Sequence, residues 1–308
     1  MKYSVFTVST PDLTPDALCA EAQAAGLHGI EWRCKETPEA LRSEPPSFWG
    51  NNRCTIAPDI APDEIAGIRE NAERHGLRNI ALVPYLTCGD VAGTERLFRL
   101  ARTLGAEMIR VGVPGYDPIV GYERQLASAY AYLDEVDALA RSYGVKALAE
   151  IHHGTIIPSA SAAHRLVSRY SPDRIGVLLD PGNMVHEGME NYRMGMEILG
   201  PYLAHVHVKN AGWHLSGAGT DGRGHPNAAH AAGDGNGAEP APLDPIAWQC
   251  SWRPIASGIV PWKQVLAALK AVGYDGWLGL EDFSRTYDSG NMMRTFVRQM
   301  RTWEDELQ

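Results

Sequence analysis

Four residues with metal-ligand side chains stand at or near the ends of short apolar runs. Glu150, Asp180 and Glu281 each end such a run, and His207 lies within another. Burying a carboxylate is costly unless a metal ion or a hydrogen-bond donor meets it. Three carboxylates and one imidazole form a mostly oxygen donor set, which suits Mn²⁺, Mg²⁺ or Co²⁺, with Zn²⁺ or Fe²⁺ as alternatives. The alternative interpretation is that each residue only caps its strand through hydrogen bonds.

Eight apolar strands that alternate with helices must position these residues. The predicted strands are 2–8, 29–33, 79–84, 108–113, 145–151, 175–180, 203–209 and 277–282. Most predicted helices end at a glycine shortly before the next strand, which is typical of parallel βα repeats. Eight such units favour an α/β fold of the (β/α)8 TIM-barrel type over an open sheet, since no Gly-rich nucleotide-binding signature follows the first strand. In a barrel the carboxyl ends of the strands meet on one face, so the four residues should share a centre.

One long segment interrupts the alternation of strands and helices. We predict a single domain over 1–308, with residues 211–255 inserted after strand seven as a loop over the C-terminal face. Long loops inside a domain are usually functional or disordered. Its Gly-rich part, 216–242, is predicted to be mobile, and its aromatic part, 248–254, is predicted to cover the barrel mouth or to contact a partner chain. A tolerated surface insertion is the alternative, especially for the Gly-rich part.

Composition narrows the class of protein. The chain has 308 residues and a net charge of −9 without a basic run, so nucleic acid is not an expected partner. No apolar stretch is long enough to span a membrane, and the N-terminus is predicted to be a strand rather than a signal segment. Five scattered cysteines without CxxC spacing are expected to be reduced structural thiols, which predicts a cytoplasmic location.

Four motifs resemble one known family. They are Ala-Glu-Ile-His at 149–152, Leu-Asp-Pro-Gly-Asn at 179–183, His-Val-His-Val-Lys at 205–209 and Leu-Glu-Asp at 280–282. Together they resemble the sugar phosphate isomerase/epimerase superfamily of xylose-isomerase-like TIM barrels, near the inosose dehydratases and the metal subunit of C-glycoside deglycosidases. The resemblance implies that Glu150, Asp180, His207 and Glu281 hold one divalent ion, most often Mn²⁺. It also implies that Glu150 and Glu281 move protons on either face of a ketose.

Three positions depart from the ketohexose epimerases of this family. Asn183 stands where they have a His, Trp213 where they have an Arg, and Ile156 where they have a second Glu. Those residues usually hold the ketose, so simple ketohexose epimerisation is not the expected reaction. The DNA-repair endonucleases of the superfamily need more His ligands, including the one that Asn183 replaces, and the acidic composition also speaks against them.

Further candidates surround the predicted site. His152 lies two residues after Glu150, and Lys209 two residues after His207, so each should share a strand face with a ligand. His152 is a catalytic candidate as acid or base, although an ordinary loop histidine is the alternative. Lys209 could bind substrate or form a salt bridge with Glu31 or Asp282. His205 is expected deeper on the same face as His207.

Three other residues are predicted to bind substrate. They are Trp213 as a ring that stacks on a sugar, Asn183 after the Asp ligand, and Glu31 at the end of strand two. Glu31 could instead pair with Arg33 or Lys209, which is the structural alternative.

The sequence leaves three functions open. The first is a divalent-metal-dependent sugar isomerase or epimerase that removes a proton α to a carbonyl polarised by the metal. The second is a lyase acting on a keto-sugar, either a dehydratase or a 3-keto-C-glycoside deglycosidase with a small second subunit. The third is a catalytically silent barrel that binds sugars or scaffolds a complex. The expected partners are a small carbohydrate and either copies of the same chain or a small second subunit.

Overall fold

Eight parallel strands close into a barrel in a computed structural model that describes residues 1–215 and 248–307. Their order around the barrel is β1-β10-β7-β6-β5-β4-β3-β2. The barrel strands are β1 Lys2–Phe6, β2 Gly29–Cys34, β3 Arg78–Pro84, β4 Met108–Arg110, β5 Lys146–Glu150, β6 Ile175–Leu179, β7 Leu203–Val208 and β10 Trp277–Leu280. The predicted (β/α)8 TIM barrel is therefore confirmed, and strands β5, β6, β7 and β10 are consecutive neighbours in it.

Helices connect the strands and cover the outside of the barrel. They are α1 Pro15–Ala25, α2 Pro62–Arg74, α3 Val91–Leu104, α4 Tyr122–Tyr143, α5 Ala160–Val167, α6 Pro181–Met184, α7 Tyr192–Leu199, α8 Trp262–Ala271 and α9 Ser289–Asp305, with short 3-10 turns at Thr7–Ser9, Glu39–Leu41 and Gly200–Tyr202. Side chains of Asp90 and Ser159 cap the starts of α3 and α5. Gly105 and Gly144 end α3 and α4 in the left-handed conformation that glycine adopts at little cost. None of the described helices is long and apolar enough to cross a membrane.

The barrel interior is packed below the C-terminal face. Phe6, Ile80, Met108, Leu148 and Leu178 belong to one buried apolar cluster inside the barrel. A second and larger cluster lies between the strands and the helices. The interior cluster excludes water from below, so polar side chains above it must be satisfied by one another or by a ligand.

The insertion after β7 differs from its prediction as a loop. Its described ends form two antiparallel strands, β8 Asn210–Leu215 and β9 Trp248–Arg253, in a separate two-stranded sheet with Asn210 opposite Arg253. The prediction of a loop was wrong for these ends, because the pairing joins residues far apart in sequence and leaves no local signal. The predicted mobile part, 216–242, lies outside the described residues. The assignment of 1–308 to one domain stays a prediction for the same reason.

Candidate metal centre

The four predicted ligands meet at the carboxyl ends of neighbouring strands. Glu150 is the last residue of β5, Asp180 follows β6, His207 lies in β7 and Glu281 follows β10. Each offers one ligand atom that lies within 4.8 Å of the others, and all four side chains are buried. The expected convergence of these residues is therefore present, and their role as metal ligands remains a proposal.

His207 faces the three carboxylates through one ring nitrogen. Its Nδ1 lies 3.3 Å from Oε2 of Glu281, 3.7 Å from Oε1 of Glu150 and 3.8 Å from Oδ2 of Asp180. This buried nitrogen forms no hydrogen bond of its own. Burial lowers the pKa of His207, but the carboxylates of Glu281 and Glu31 outweigh burial and hold the pKa well above its ordinary value. The three carboxylates therefore favour a positive charge beside Nδ1 of His207. Three carboxylate oxygens and one imidazole nitrogen are a donor set that fits a divalent cation.

The other ring nitrogen of His207 is held from below. Nε2 lies 2.9 Å from Oε2 of Glu31, and Nε2 of His205 lies 2.9 Å from the same oxygen. The hydroxyl of Ser4 donates to Oε1 of Glu31 over 2.8 Å. A hydrogen bond from a carboxylate to one nitrogen of a histidine fixes the tautomer that leaves the other nitrogen free for a metal. His205 lies in the interior beside His207, as the sequence predicted.

Glu31 does not form either of the ion pairs that the sequence suggested. It is fully buried among Ser4, His205 and His207, and the pairing with Arg33 or Lys209 was wrong. Its position in β2 puts it one layer below the mouth, where Lys209 does not reach. Its role in substrate binding stays untested, and these contacts favour a role in positioning His207.

Lys209 points into the candidate metal centre. Its Nζ lies 2.7 Å from Oδ2 of Asp180 and 2.5 Å from Oε2 of Glu281, and the side chain is buried. The expected pairing with Glu31 or Asp282 was wrong, because Lys209 shares a strand face with His207 and so reaches the carboxylates that surround it. Burial lowers the pKa of Lys209, but the carboxylates of Asp180 and Glu281 outweigh it and raise the pKa above its usual range. Lys209 is therefore a permanent cation beside the ligands.

Arg110 is a member of the site that the sequence analysis missed. Its Nη1 lies 2.5 Å from Oε2 of Glu150, and its Nη2 donates to the carbonyl oxygen of Pro84 over 3.2 Å. Burial raises the pKa of Glu150, but the Arg110 guanidinium and other neighbours outweigh burial and hold the pKa well below its usual value. Arg110 ends β4 just as Glu150 ends β5, and this equivalent position could have identified Arg110 as a member of the site.

His152 begins a row of stacked imidazoles at the mouth. Its ring centroid lies 4.3 Å from that of His153, which in turn lies 4.1 Å from that of His186. Nδ1 of His152 lies 2.6 Å from the carbonyl oxygen of His153. Burial lowers the pKa of His152. A neutral imidazole near Glu150 can act as a base, and this role remains a proposal.

Asn183 and Trp213 lie near the site in different environments. Asn183 is buried in α6, where its Nδ2 lies 3.4 Å from Oε1 of Glu150 and 3.2 Å from the carbonyl oxygen of Ile151. Trp213 is 41% exposed on β8, and its Nε1 donates to the carbonyl oxygen of Val185 over 2.8 Å. Their contacts place Asn183 behind a ligand and Trp213 at the rim, and neither role in substrate binding is tested.

The hairpin of β8 and β9 brings a different tryptophan over the metal centre. The ring centroid of Trp252 lies 4.7 Å from Nζ of Lys209 and 5.8 Å from the ring of Phe283. Trp248 of the same strand is 61% exposed. Trp252 is thus the indole that faces the ligands from above.

Comparison with known proteins agrees with this architecture. The chain resembles inosose dehydratase from Lacticaseibacillus casei, with 25% identity over 152 residues, which is 48% of this chain and 44% of that protein. The match thus spans less than half the length of this curated relative. Among solved structures, the probable 3-DHS dehydratase from Bacillus anthracis superposes with a TM-score of 0.68 at 17% identity, covering 98% of this chain and 99% of that chain. The 3-keto-D-glucoside 4-epimerase from E. coli gives a TM-score of 0.65 at 15% identity, with 98% and 99% coverage.

The model of one protein family matches almost the whole chain. This family is the xylose isomerase-like TIM barrel, and the match covers residues 19–307. Sugar epimerases and an inosose dehydratase are among the proteins that the chain resembles. This chain belongs to the xylose isomerase-like TIM barrel family.

Proposed function

We propose that this protein is a divalent-metal-dependent sugar isomerase or epimerase that removes a proton from a carbon next to a carbonyl. The observation that carries the proposal is that Glu150 and Glu281, from two different strands, both lie close to Nδ1 of His207, at 3.7 Å and 3.3 Å. A divalent ion held by Glu150, Asp180, His207 and Glu281 supplies Lewis-acid polarisation of the substrate carbonyl when it is bound. The oxygen-rich donor set favours Mn²⁺, with Mg²⁺, Co²⁺ or Zn²⁺ as alternatives.

The two glutamates are the proposed proton carriers. They extend from β5 and β10, which lie on either side of β6 and β7 in the barrel, so they approach a substrate from different directions. One carboxylate removes the α-proton, and the other returns a proton to a different face or carbon. Lys209 and Arg110 hold these carboxylates ionised and in place, at 2.5 Å from Glu281 and 2.5 Å from Glu150. Lys209 also stands where it can stabilise negative charge that develops on the substrate oxygen.

A second candidate is a lyase built on the same first step. The similarity to inosose dehydratase and the position of His152 favour it. In this reaction a glutamate removes the α-proton in the same way. His152 takes up a proton from solvent at its free ring nitrogen and transfers it to the leaving hydroxyl or aglycone at the β-carbon as that bond breaks. A small second subunit, as the sequence suggested, would cover the mouth beside Trp213 and Trp248, which are both exposed. A binding protein without activity is the remaining alternative, and the buried glutamate pair speaks against it.

Proton exchange in D₂O tests the proposal directly. The full chain with Mn²⁺ is incubated with ketoses and with 3-keto glycosides, and NMR follows the substrate. Deuterium at a carbon α to the carbonyl with an intact skeleton supports the isomerase or epimerase. An unsaturated or released product supports the lyase. Absence of both exchange and product, together with absence of any thermal stabilisation by Mn²⁺, would contradict both enzymatic proposals.

A further inference from the structure

The barrel mouth has a basic half opposite the metal centre. Arg33, Lys35 and Arg110 surround the ring of Tyr85, with charge-to-centroid distances of 5.5, 5.2 and 5.0 Å. They belong to β2, the residue after β2, and β4, and Tyr85 follows β3. The proposed metal ligands belong to β5, β6, β7 and β10, so Tyr85 and the three cations around it lie on other strands of the same barrel.

Arg33 is a buried cation that lacks a carboxylate partner. Its side chain is 1% exposed, its Nη1 donates to Oγ1 of Thr55 over 2.5 Å, and its Nε forms no hydrogen bond. Within residues 1–215 and 248–307, no ion pair joins Arg33 to an acidic side chain. A buried guanidinium without a counter-ion is unfavourable in the free protein, and an anion that enters the mouth would relieve this cost.

Its neighbours add to this positive charge instead of neutralising it. Lys35 is exposed beside Arg33, and partial burial together with the Arg33 charge lowers the pKa of its ammonium. The nearby carboxylates are already engaged, since Glu150 pairs with Arg110 and Glu281 pairs with Lys209. Arg33 and Lys35 therefore remain available to a bound anion.

We propose that Arg33 and Lys35 bind an oxyanion of the substrate, a carboxylate or a phosphate, while its carbonyl lies at the metal centre. The inference rests on the proposed function and names its substrate class as an acidic carbohydrate derivative. A guanidinium matches the planar, two-oxygen edge of a carboxylate or phosphate, and the lysine adds a mobile point charge. An anchor distant from the reacting carbon positions the substrate, and its binding energy can be used in the transition state.

The first test is direct binding of simple anions, measured by isothermal titration calorimetry. Inorganic phosphate and malonate are titrated into the Mn²⁺-loaded full chain at constant ionic strength, with glycerol as the neutral probe. We expect both anions to bind and glycerol not to bind, and the tighter anion indicates which oxyanion the subsite takes. Arg33→Gln should weaken anion binding by about tenfold or more, and Lys35→Gln by a smaller factor. Lys270→Gln, an exposed lysine on the outer helix α8, should bind as the wild type does.

One further variant, Arg33→Lys, and the Lys35→Gln variant make the result decisive. Arg33→Lys keeps the charge and should retain part of the affinity that Arg33→Gln loses. Lys35→Gln changes an exposed side chain, so loss of binding in that variant cannot follow from misfolding. Unchanged anion affinity in both Arg33→Gln and Lys35→Gln would overturn the proposal and place the anion at the metal itself.

Failure of this inference can be told apart from failure of the proposed function. Glu281→Gln should lower proton exchange by about 10²–10⁴-fold and still bind phosphate, since Arg33 and Lys35 are intact. If exchange occurs with neutral keto-sugars and Arg33→Gln leaves both kcat and KM unchanged, the acidic substrate class is wrong and the isomerase proposal stands. If acidic sugars bind through Arg33 but never exchange a proton, the anion subsite stands and the proposed reaction is wrong.

Discussion

Oε2 of Glu31 lies 2.9 Å from Nε2 of His207, on the side of the ring that faces away from the three carboxylates. With Nε2 donating to Glu31, Nδ1 is the nitrogen that would offer its lone pair to a metal ion held among Glu150, Asp180 and Glu281. Residues in the position of Glu31 tune the metal without touching it. The strand-two carboxylate thus supports His207, one of the four residues of the candidate metal centre.

Glu31→Gln should weaken metal binding. The variant keeps the size of the side chain but removes the charge that orients and polarises His207, so Mn²⁺ affinity should fall by about 10- to 100-fold. Competition with a Mn²⁺-sensitive indicator measures this directly. Glu36→Gln changes an exposed carboxylate five residues away and serves as the matched control. Wild-type Mn²⁺ affinity in Glu31→Gln would show that His207 is oriented by other contacts.

Mn²⁺ should stabilise the folded chain. Glu150, Asp180 and Glu281 are buried together beside Lys209 and Arg110, and a bound divalent cation would further offset the repulsion among the three carboxylates. A free Mn²⁺ concentration of about 100 times Kd should contribute about 2.7 kcal/mol, which corresponds to a rise in Tm of roughly 5 °C. Calorimetry with and without a chelator measures the shift. An unchanged Tm at millimolar Mn²⁺ would argue that the four residues do not hold this metal.

Gly279→Ala should destabilise the support beneath His207. A methyl group at Gly279 would overlap Oε1 of Glu31 and come within 3.1 Å of Nε2 of His205, in a layer where neither side chain can move aside. We expect a loss of about 1–3 kcal/mol in the free energy of unfolding, measured by urea denaturation. Gly67→Ala is the matched control, because Gly67 lies in α2 with open space around it and should gain about 0.5–1 kcal/mol. Equal effects in the two variants would contradict the close packing at Gly279.

The convergence of the four proposed ligands could be predicted from the sequence for a simple physical reason. Glu150, Asp180 and Glu281 follow apolar strands, and in a closed parallel barrel all strand ends face the same side, so position along the strand decides which residues meet. The sequence did not predict which basic side chains pair with these carboxylates. The reach of Lys209 to Asp180 and of Arg110 to Glu150 depends on how neighbouring strands are offset, and register across a barrel is set by the whole sheet.

The pairing of β8 with β9 beside the barrel mouth could not be predicted from the sequence either. Asn210 pairs with Arg253 across a segment that carries many glycines, and neither end has the tight-turn signal that identifies a hairpin in sequence. The aromatic residues of 248–254 predicted that this segment covers the barrel mouth or contacts a partner chain. Only the antiparallel register shows that Trp252 faces Lys209, while Trp248 is 61% exposed.

Trp252→Ala should impair the proposed reaction more than Trp248→Ala. The indole of Trp252 faces the Lys209 ammonium at 4.7 Å, and Lys209 in turn pairs with Asp180 and Glu281. A desolvated cation–π contact contributes up to about 2 kcal/mol, so we expect a fall of about tenfold in kcat/KM for proton exchange. Trp248 lies in the same strand and is exposed, so Trp248→Ala should retain the wild-type rate. A similar loss in both variants would indicate that the hairpin acts through a partner or through its overall stability.

Glu281→Gln and His152→Ala together should separate the two proposed reactions. Glu281→Gln should lower α-proton exchange by about 10²–10⁴-fold at saturating Mn²⁺ with little change in Tm, because the amide cannot accept the proton.

His152→Ala should leave exchange close to the wild-type rate if the enzyme is an epimerase, since Glu150 and Glu281 carry both protons. If the enzyme is a lyase, the same variant should still exchange the α-proton but release product at least about 10²-fold more slowly, because the leaving group lacks its acid. NMR in D₂O reads exchange and product in one sample. Normal exchange in Glu281→Gln would remove that residue from the catalytic pair, and equal losses of exchange and product in His152→Ala would place His152 at the first proton transfer.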